Sequence, residues 1–301
     1  MTPQAGVPTG VLTLSGEALR RQRGAERRCV ELLEAEGFQL IHLPVLEYAD
    51  GEPAAGYRFV DRAGRLLALR TDFTPLAARV LAPALAAGPL PLAVCYAGEV
   101  VRPQPARLRQ LPELYQLGFE RYGAGGDGVG VLALALRLLG VAGVPAARCH
   151  VTVSAAGLAE KLLAQLLEEP PDAELVELLR VRDLDGLGAT VALGEPARAA
   201  LEAALFGEDD TLWADFFGLR EEVAGLAALR RAAEAAGASA GVDVAPRAAG
   251  EYYRGAMFSI WGRATRAILG GGGEYAVALP AGEVAAVGAS IALGVALEEA
   301  G

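Results

Sequence analysis

Polar side chains in one predicted hairpin have types and spacing that suit a binding site. The segment from Leu114 to Tyr122 alternates in the manner of a strand, which places Gln116 and Glu120 on one face with Gly118 between them. A glycine between two polar groups leaves space above it, as in the floor of a pocket for a small polar ligand. Arg102, at the end of the preceding strand-like run, is positioned to meet an anion. The same spacing also fits a hairpin whose polar face lies in solvent.

A second polar pair, Asp72 and Thr74, comes immediately before a helix that is predicted to begin near Pro75. A carboxylate and a hydroxyl two residues apart at the mouth of a helix can together hold an ammonium group. Either side chain can instead cap the helix, and the spacing alone favours a cap.

A pair of tyrosines, Tyr252 and Tyr253, precedes Gly255 in a strand-like segment near the end of the sequence. Phenol rings in such a place can stack on another ring, and their hydroxyls can face an imidazole. The sequence alone does not bring these tyrosines to the other polar groups.

These segments resemble the class II aminoacyl-tRNA synthetases, in the histidyl-tRNA synthetase branch. The run Glu113-Leu114-Tyr115-Gln116-Leu117-Gly118-Phe119-Glu120 is similar to the second strand of motif 2, with Arg102 closing the first strand. GFQLIHLPVLEYAD resembles motif 1, in which Pro44 matches the family's proline. Val287 to Leu297 resembles motif 3, and Gly270 to Tyr275 resembles the family's Gly-Gly-Arg-Tyr-Asp.

The resemblance also suggests an amino-acid pocket. The segment that contains Asp72 and Thr74 is similar to the Leu-Arg-Pro-Glu-Met-Thr run that grips the α-amino group of the substrate. The segment at Tyr252 is similar to the histidine-specific signature Arg-Gly-Leu-Asp-Tyr-Tyr-Thr-Gly-x-Val-Phe. The resemblance therefore implies a histidine-like pocket with a possible anion contact at Arg102, formed by Asp72, Thr74, Gln116, Glu120, Tyr252 and Tyr253.

The implied fold is α+β: a class II synthetase-like antiparallel sheet flanked by helices, with a helical insertion. We expect the first part of this core over residues 1–154, the insertion over 155–240 and the second part over 241–301, with no anticodon-binding domain. The insertion shows helical patterns at 158–167, 173–179, 197–205 and 219–236 and no chemical signature. Trp213, Phe216 and Phe217 are interpreted as aromatics of a small core.

Local signals predict several elements of the first part. Ser15 is a candidate cap for a helix that runs to about Glu36. Residues 38–46 are predicted to form a short strand interrupted by Pro44, with a proline that suits an edge or an interface. A hairpin is expected from 57–60 and 66–70, and an apolar helix over 131–139.

Departures from the synthetase pattern argue against catalysis. Adenylate formation requires cations where negative charge builds on the phosphates, and each lost donor costs roughly 10²–10³ in rate. The family's arginines in the histidine signature and in motif 3 fall on Ala248 and Val295. Arg247 is one residue away, and such a slip points a strand side chain to the opposite face. Glu274 replaces the arginine of the glycine-rich motif.

This set of losses resembles the regulatory subunits of ATP phosphoribosyltransferase, a family of synthetase paralogues. The resemblance implies a non-catalytic subunit that activates the short-form catalytic chain and mediates feedback inhibition by histidine in the first step of histidine biosynthesis. The catalytic chain displaces pyrophosphate from phosphoribosyl pyrophosphate with N1 of ATP. In that family, homodimers of the regulatory subunit assemble into a hetero-octamer.

Composition limits the function classes. The 301 residues carry a formal charge of −10, which argues against binding tRNA. No apolar run is long enough to cross a bilayer and the start lacks the layout of a signal peptide, so we expect no membrane contact. Three cysteines, widely spaced and odd in number, fit a reduced cytoplasmic protein without disulfides, and with only two histidines we expect neither a metal site nor a cofactor.

Two other functions remain open at this point. One is a truncated synthetase-like ligase that activates a small carboxylate and uses Arg102, Arg107, Arg109 and Arg247 as its cations. The other is a structural homodimer without a ligand, since a fold does not fix a function. Within the regulatory interpretation, histidine can also bind at the junction with the catalytic chain, with the old pocket left vestigial.

Overall fold

A computed structural model describes residues 6, 11, 13–49, 56–102, 112–123, 127–167, 169–191, 193–207, 210–246 and 252–301. The strands are β1 (Gln39–Leu40), β2 (Leu46–Tyr48), β3 (Arg58–Val60), β4 (Leu66–Leu69), β5 (Leu92–Val101), β6 (Glu113–Tyr122), β7 (Cys149–Ala155), β8 (Ser239–Val242), β9 (Tyr253–Gly262), β10 (Ile268–Leu279) and β11 (Gly282–Ala292). The helices are α1 (Gly16–Ala35), α2 (Phe73–Ala87), α3 (Gly128–Val141), α4 (Leu158–Ala164), α5 (Ala173–Arg180), α6 (Leu184–Thr190), α7 (Glu195–Phe206), α8 (Asp210–Phe216), α9 (Arg220–Ala235) and α10 (Leu293–Ala300).

An eight-stranded sheet forms the centre of the fold, in the order β1-β5-β6-β11-β10-β9-β7-β8. The pairs β1–β5 and β7–β8 are parallel, and the other neighbours are antiparallel. A small antiparallel sheet, β2-β4-β3, stands apart. The mostly antiparallel sheet with flanking helices confirms the predicted fold class.

The two faces of the large sheet are covered differently. On one face, Leu117 and Phe119 of β6 are fully buried in a large apolar core together with residues of α1, α3 and α10. On the opposite face, Phe73 and Leu76 of α2 pack against Tyr96 of β5. Because strand side chains alternate between faces, the even-numbered residues of β6 point toward the α2 side. This α2 face carries the predicted polar residues.

The predicted hairpin is confirmed as β5 and β6, paired from Leu92 with Tyr122 to Val101 with Glu113. Its polar face is not in solvent. Gln116 retains 7% of its accessible surface and Glu120 only 1%. The connecting residues 103–111, which include Arg107 and Arg109, lie outside the described residues.

The segment around Pro44 is not one strand. It forms β1 and β2 with a break between them, because Pro44 has no backbone N–H to continue a ladder. Ser15 occupies the cap position of α1 but makes no side-chain cap hydrogen bond. The second predicted hairpin is present, formed by β3 and β4.

Six helices, α4 to α9, lie between β7 and β8 in the described chain. The helices α6 and α8 were not predicted, because each has only seven residues and neither shows a clear helical spacing of apolar residues. Trp213 and Phe217 are buried as predicted, but Phe216 is 47% exposed and is not a core residue. Residues of α9 such as Leu226 belong to the same large core as the sheet. The division into 1–154, 155–240 and 241–301 stays a prediction, and β8 spans its second boundary.

Candidate functional site

Small residues on the α2 face make room for Glu120. In the sheet register, Gly288 of β11 lies beside Glu120, and Gly118 of β6 lies beside Tyr96 of β5. A Cβ at Gly288 would overlap the Glu120 carboxylate, and a Cβ at Gly118 would overlap the Tyr96 ring. The Glu120 and Tyr96 side chains therefore pack directly over two glycines of the sheet, where any other residue would displace them.

Three hydroxyls converge on the Glu120 carboxylate. Thr74 Oγ1 donates to Oε1 at 2.7 Å, and the Tyr96 hydroxyl donates to the same oxygen at 2.8 Å. The Tyr275 hydroxyl donates to Oε2 at 2.8 Å. The donors come from α2, β5 and β10, so this carboxylate ties together three parts of the chain that are distant in sequence.

Burial shifts the titration of this cluster. Removal from water raises the pKa of Glu120 to about 7, although the three hydroxyl hydrogen bonds favour its charged form. Burial and the nearby carboxylate also raise the pKa of Tyr96 and of Tyr275 well above the ordinary value. The tyrosines therefore stay neutral donors, and Glu120 gains its charge near neutral pH.

Asp72 forms the second polar centre. It is the N-cap of α2 and accepts a hydrogen bond from the Thr74 backbone N–H at 3.1 Å, which confirms the cap interpretation. Its Oδ2 accepts a hydrogen bond from the Tyr252 hydroxyl at 3.3 Å and lies 3.8 Å from Arg102 Nη2. Arg102 also donates to the Thr71 carbonyl at 2.7 Å. Among the described residues, the carboxylate that Arg102 meets is thus that of Asp72.

The two predicted tyrosines sit next to each other at the start of β9, with ring centroids 4.7 Å apart. Burial raises the pKa of both hydroxyls. Tyr253 lies opposite Tyr275 in the sheet. The structure therefore brings Tyr252 and Tyr253 to the same face as Asp72 and Glu120.

A groove opens from this cluster between α2 and β10. Its volume is about 400 Å³, which is enough for a ligand the size of an amino acid. Thr74, Tyr252 and Tyr275 line one part of it, and Ala78 and Val277 line an apolar part. Gln116 is buried nearer the other end of the cluster, opposite Gly98 of β5.

Arg70 packs beneath the site, next to Phe73, and the sequence did not predict this role. It is 2% exposed, and its guanidinium lies 4.1 Å from the Phe73 ring, which stacks on Tyr96. Nε donates to the Glu99 carbonyl at 2.6 Å, and Nη1 donates to the Leu43 carbonyl at 2.6 Å. Removal from water lowers the pKa of Arg70. This side chain links the segment before β2 to the floor of the pocket.

Comparisons with known proteins identify the family. A family model described as histidyl-tRNA synthetase matches residues 10–295. The ATP phosphoribosyltransferase regulatory subunit of Azoarcus sp. (strain BH72) is 33% identical over 90% of this chain and 73% of its own length. The one from Moorella thermoacetica is 32% identical over 89% of this chain and 75% of its own. This chain belongs to the ATP phosphoribosyltransferase regulatory subunit family.

Solved structures agree on the fold of this family. An ATP phosphoribosyltransferase regulatory subunit/histidyl-tRNA synthetase from Bacillus halodurans C superposes with a TM-score of 0.79 at 22% identity, covering 99% of this chain and 84% of that one. The ATP phosphoribosyl transferase (HisG:HisZ) complex from Thermotoga maritima gives a TM-score of 0.66 at 22% identity, covering 90% and 97%. Histidyl-tRNA synthetase from Nostoc sp. PCC 7120 gives 0.71 at 14% identity, covering 98% and 75%.

Glu274 does not face the pocket, contrary to the expectation from the synthetase pattern. Glu274 is adjacent to Tyr275 in β10, so the two side chains point to opposite faces. Tyr275 faces Glu120, whereas Glu274 lies near Gly128 at the start of α3. The replacement of arginine by Glu274 therefore does not remove a cation from the pocket. Val295 is partly buried against the large core, and Arg247 and Ala248 lie outside the described residues.

None of the helices described combines the length and the hydropathy that a membrane-spanning segment requires.

Proposed function

We propose that this member of the family activates the short-form ATP phosphoribosyltransferase catalytic chain and makes it sensitive to histidine. The family assignment supports the partnership. The observation that carries the effector is the Glu120 carboxylate, which accepts hydrogen bonds from Thr74, Tyr96 and Tyr275 and keeps one acceptor position, because a buried carboxylate that titrates near neutral pH suits an imidazole.

Histidine would occupy the cluster and the adjoining groove. Asp72 would receive the α-ammonium group, as a carboxylate at the mouth of α2. A carboxylate has about four acceptor positions, and three at Glu120 are filled by hydroxyls, so one remains for an imidazole N–H. Tyr252 and Tyr253 would pack on the ring. Gln116 would complete the polar wall.

Feedback through a second chain requires a difference in affinity. Histidine must bind the inhibited state of the complex more tightly than the active state, and it shifts the equilibrium only by that difference. The Glu120 cluster draws its ligands from α2, β5 and β10, so occupancy can alter how these elements sit relative to one another. The alternative is a histidine site at the junction of the two chains.

We further propose that the chain forms no aminoacyl adenylate. Val295, at the position of the motif 3 arginine, supplies no cation for a phosphate. An ATP–pyrophosphate exchange assay with histidine tests this directly. Exchange above the background of a Glu120→Gln variant would contradict it and favour the ligase alternative.

Assembly would begin with a homodimer inside a larger hetero-oligomer, for which the family suggests an octamer. The small sheet and the segment before it expose several large apolar side chains, including Leu46, Tyr48, Phe59 and Val60, the last at 64%. A second copy that covered this surface would remove an apolar patch from contact with water.

The three cysteines are free thiols, which supports the cytoplasm as the compartment.

The test is reconstitution with the catalytic chain of the same organism. Phosphoribosyl-ATP formation should be slow with the catalytic chain alone and rise when this chain is added. An unchanged rate, together with no association of the two chains in sedimentation, would overturn the proposal.

A further inference from the structure

A basic corner lies on the helix-covered face of the large sheet, away from the α2 face and its pocket. We define it by Arg21 and Arg28 of α1, Arg148 before β7, and Arg263 and Arg266 in the turn between β9 and β10. Arg21 Nη2 reaches the Leu297 carbonyl at 3.5 Å, Arg28 Nη2 reaches the Val141 carbonyl at 3.3 Å, and Arg148 Nη1 reaches the Ala300 carbonyl at 3.4 Å. The Arg263 backbone N–H donates to the Arg148 carbonyl at 2.9 Å. These contacts place Arg21, Arg28 and Arg148 against the C-terminal ends of α3 and α10, with Arg263 joined to this group through the backbone of Arg148.

Two arginines of this corner, Arg21 and Arg28, lack the glutamate partners that neighbouring arginines of α1 have. On α1, Arg20 pairs with Glu17 at 3.0 Å and Arg27 with Glu31 at 3.7 Å. Arg21 lies beside this row and, in the part of the chain that the structure describes, contacts a backbone carbonyl and no carboxylate. The same holds for Arg28, two helical turns further on.

The turn that carries Arg263 and Arg266 is fixed in place by Glu299. This fully buried carboxylate accepts hydrogen bonds from the Ala264 N–H at 3.1 Å and from the Thr265 N–H at 2.8 Å. The Thr265 hydroxyl adds a third at 2.6 Å. Glu299 lies 3.6 Å from Arg148 Nε and so neutralises that arginine, not the two exposed ones. Glu299 therefore fixes the turn and neutralises Arg148, whereas Arg263 and Arg266 have no carboxylate partner among the described residues.

Nearby negative charge does not cancel the corner. The C-terminal ends of α3 and α10 each contribute about half a negative charge, which explains why arginines contact their last carbonyls. Glu298, exposed on α10, adds one more. Arg21, Arg28, Arg263 and Arg266 outnumber these negative groups, so the corner stays positive on a chain whose formal charge is −10.

We propose that this corner docks an acidic surface of the catalytic chain. The inference rests on the proposed function and names the face through which that partnership forms. Guanidinium groups bind carboxylates with paired, directional hydrogen bonds and keep their charge at an interface. A nucleic acid is the poorer match, because typical complexes make about six to ten phosphate contacts and the rest of this acidic chain would repel one. The exposed apolar surface at β2-β4-β3 is left free for a second copy.

The experiment is sedimentation of the full-length chain mixed with the catalytic chain, at low and at physiological salt. The variant carries Arg21→Glu and Arg28→Glu. Its matched control carries Arg20→Glu and Arg27→Glu, with the same charge change on the same helix. We expect the patch variant to weaken association by at least about tenfold, more strongly at low salt, and the control by less than about threefold.

A second variant, Arg263→Gln with Arg266→Gln, covers the case in which charge reversal on α1 disturbs folding. It leaves the backbone hydrogen bond from residue 263 and the Glu299 contacts intact, so it should fold and still weaken association. Equal loss in patch and control variants, or no loss in either patch variant, would overturn this inference while leaving the proposed function standing. Failure of the unmodified chain to associate would overturn both.

The same variants decide between partner classes. If the unmodified chain binds a single-stranded RNA oligonucleotide in the same salt range, and the patch variants lose that binding but associate normally with the catalytic chain, the corner belongs to a nucleic acid and the inference is wrong.

Discussion

The Glu120 carboxylate lies directly beside Gly288, its register partner on the neighbouring strand β11. Any side chain at position 288 would occupy the space of Oε2. The carboxylate is thereby held against the sheet, where the hydroxyls of Thr74, Tyr96 and Tyr275 can all reach it. The polar centre of the pocket depends on the absence of one methyl group.

Gly288→Ala should therefore dismantle the cluster. The added methyl must displace Glu120, and overpacking of this kind costs about 1–3 kcal/mol of folding free energy. Loss of histidine inhibition should accompany the loss of stability. Gly140→Ala is the control, since a Cβ there meets nothing within 4 Å in helix α3. Urea denaturation measures the first effect, and equal stability of the two variants would contradict the account.

The Glu120 pKa predicts a pH dependence of stability. Its value is about 7 in the folded protein and 4.5 in an ordinary setting, so between these values the folded chain holds a proton that the unfolded chain has released. The free energy of unfolding should therefore fall as the pH rises through this window, by on the order of 3 kcal/mol. Glu120→Gln has no such titration.

Urea denaturation of both proteins at several pH values from about 5 to 8 isolates this contribution. The contributions of the other carboxylates cancel when the unfolding free energy of Glu120→Gln is subtracted from that of the wild type. This difference should shrink or change sign as the pH rises, and it should become flat above about pH 8. A difference that stays constant over the whole range would show that Glu120 titrates like an exposed glutamate.

Tyr275→Phe removes one of the three hydroxyls that donate to Glu120 and keeps the aromatic ring. A hydrogen bond to a charged group contributes about 1.5–3 kcal/mol, so the variant should be less stable by about that amount and should need roughly tenfold more histidine for inhibition. Tyr57→Phe, on an exposed ring, serves as the control. Histidine titration of the reconstituted complex gives the second result, and an unchanged response would place the effector elsewhere.

Arg70→Lys tests the support behind the pocket. A lysine carries one nitrogen in place of three and cannot reach the Leu43 and Glu99 carbonyls together. Buried acceptors left without a donor cost about 1–3 kcal/mol, so the midpoint of urea denaturation should drop clearly. Arg62→Lys, at an exposed turn position, should change stability by less than about 0.5 kcal/mol.

Local patterns in the sequence were enough to find part of this site. Alternation in β6 placed Gln116 and Glu120 on one face, and a carboxylate before a helix identified Asp72 as a cap. Their environment depends on tertiary structure. Tyr96 reaches Glu120 only because β5 pairs with β6 so that Tyr96 faces Gly118, and no local rule sets that register.

Two other residues show different limits. The partners of Arg70 are carbonyls 26 to 29 residues away, so a buried arginine could not be distinguished from an exposed one by its neighbours in the sequence. Glu274 is a different case, because strand alternation with Tyr275 already places the two on opposite faces. The motif resemblance misled there, although the sequence held the correction.

In the function proposed here, this chain confers histidine sensitivity through the Glu120 pocket. The most direct test is the rate of phosphoribosyl-ATP formation by the reconstituted complex as histidine is titrated, with wild type and Glu120→Gln side by side. We expect that the wild type and the variant both support activity and that the wild-type rate falls with histidine, while the variant needs at least about tenfold more histidine for the same inhibition. Identical inhibition curves would show that histidine acts outside this pocket, and the absence of inhibition in the wild type would contradict the regulatory role.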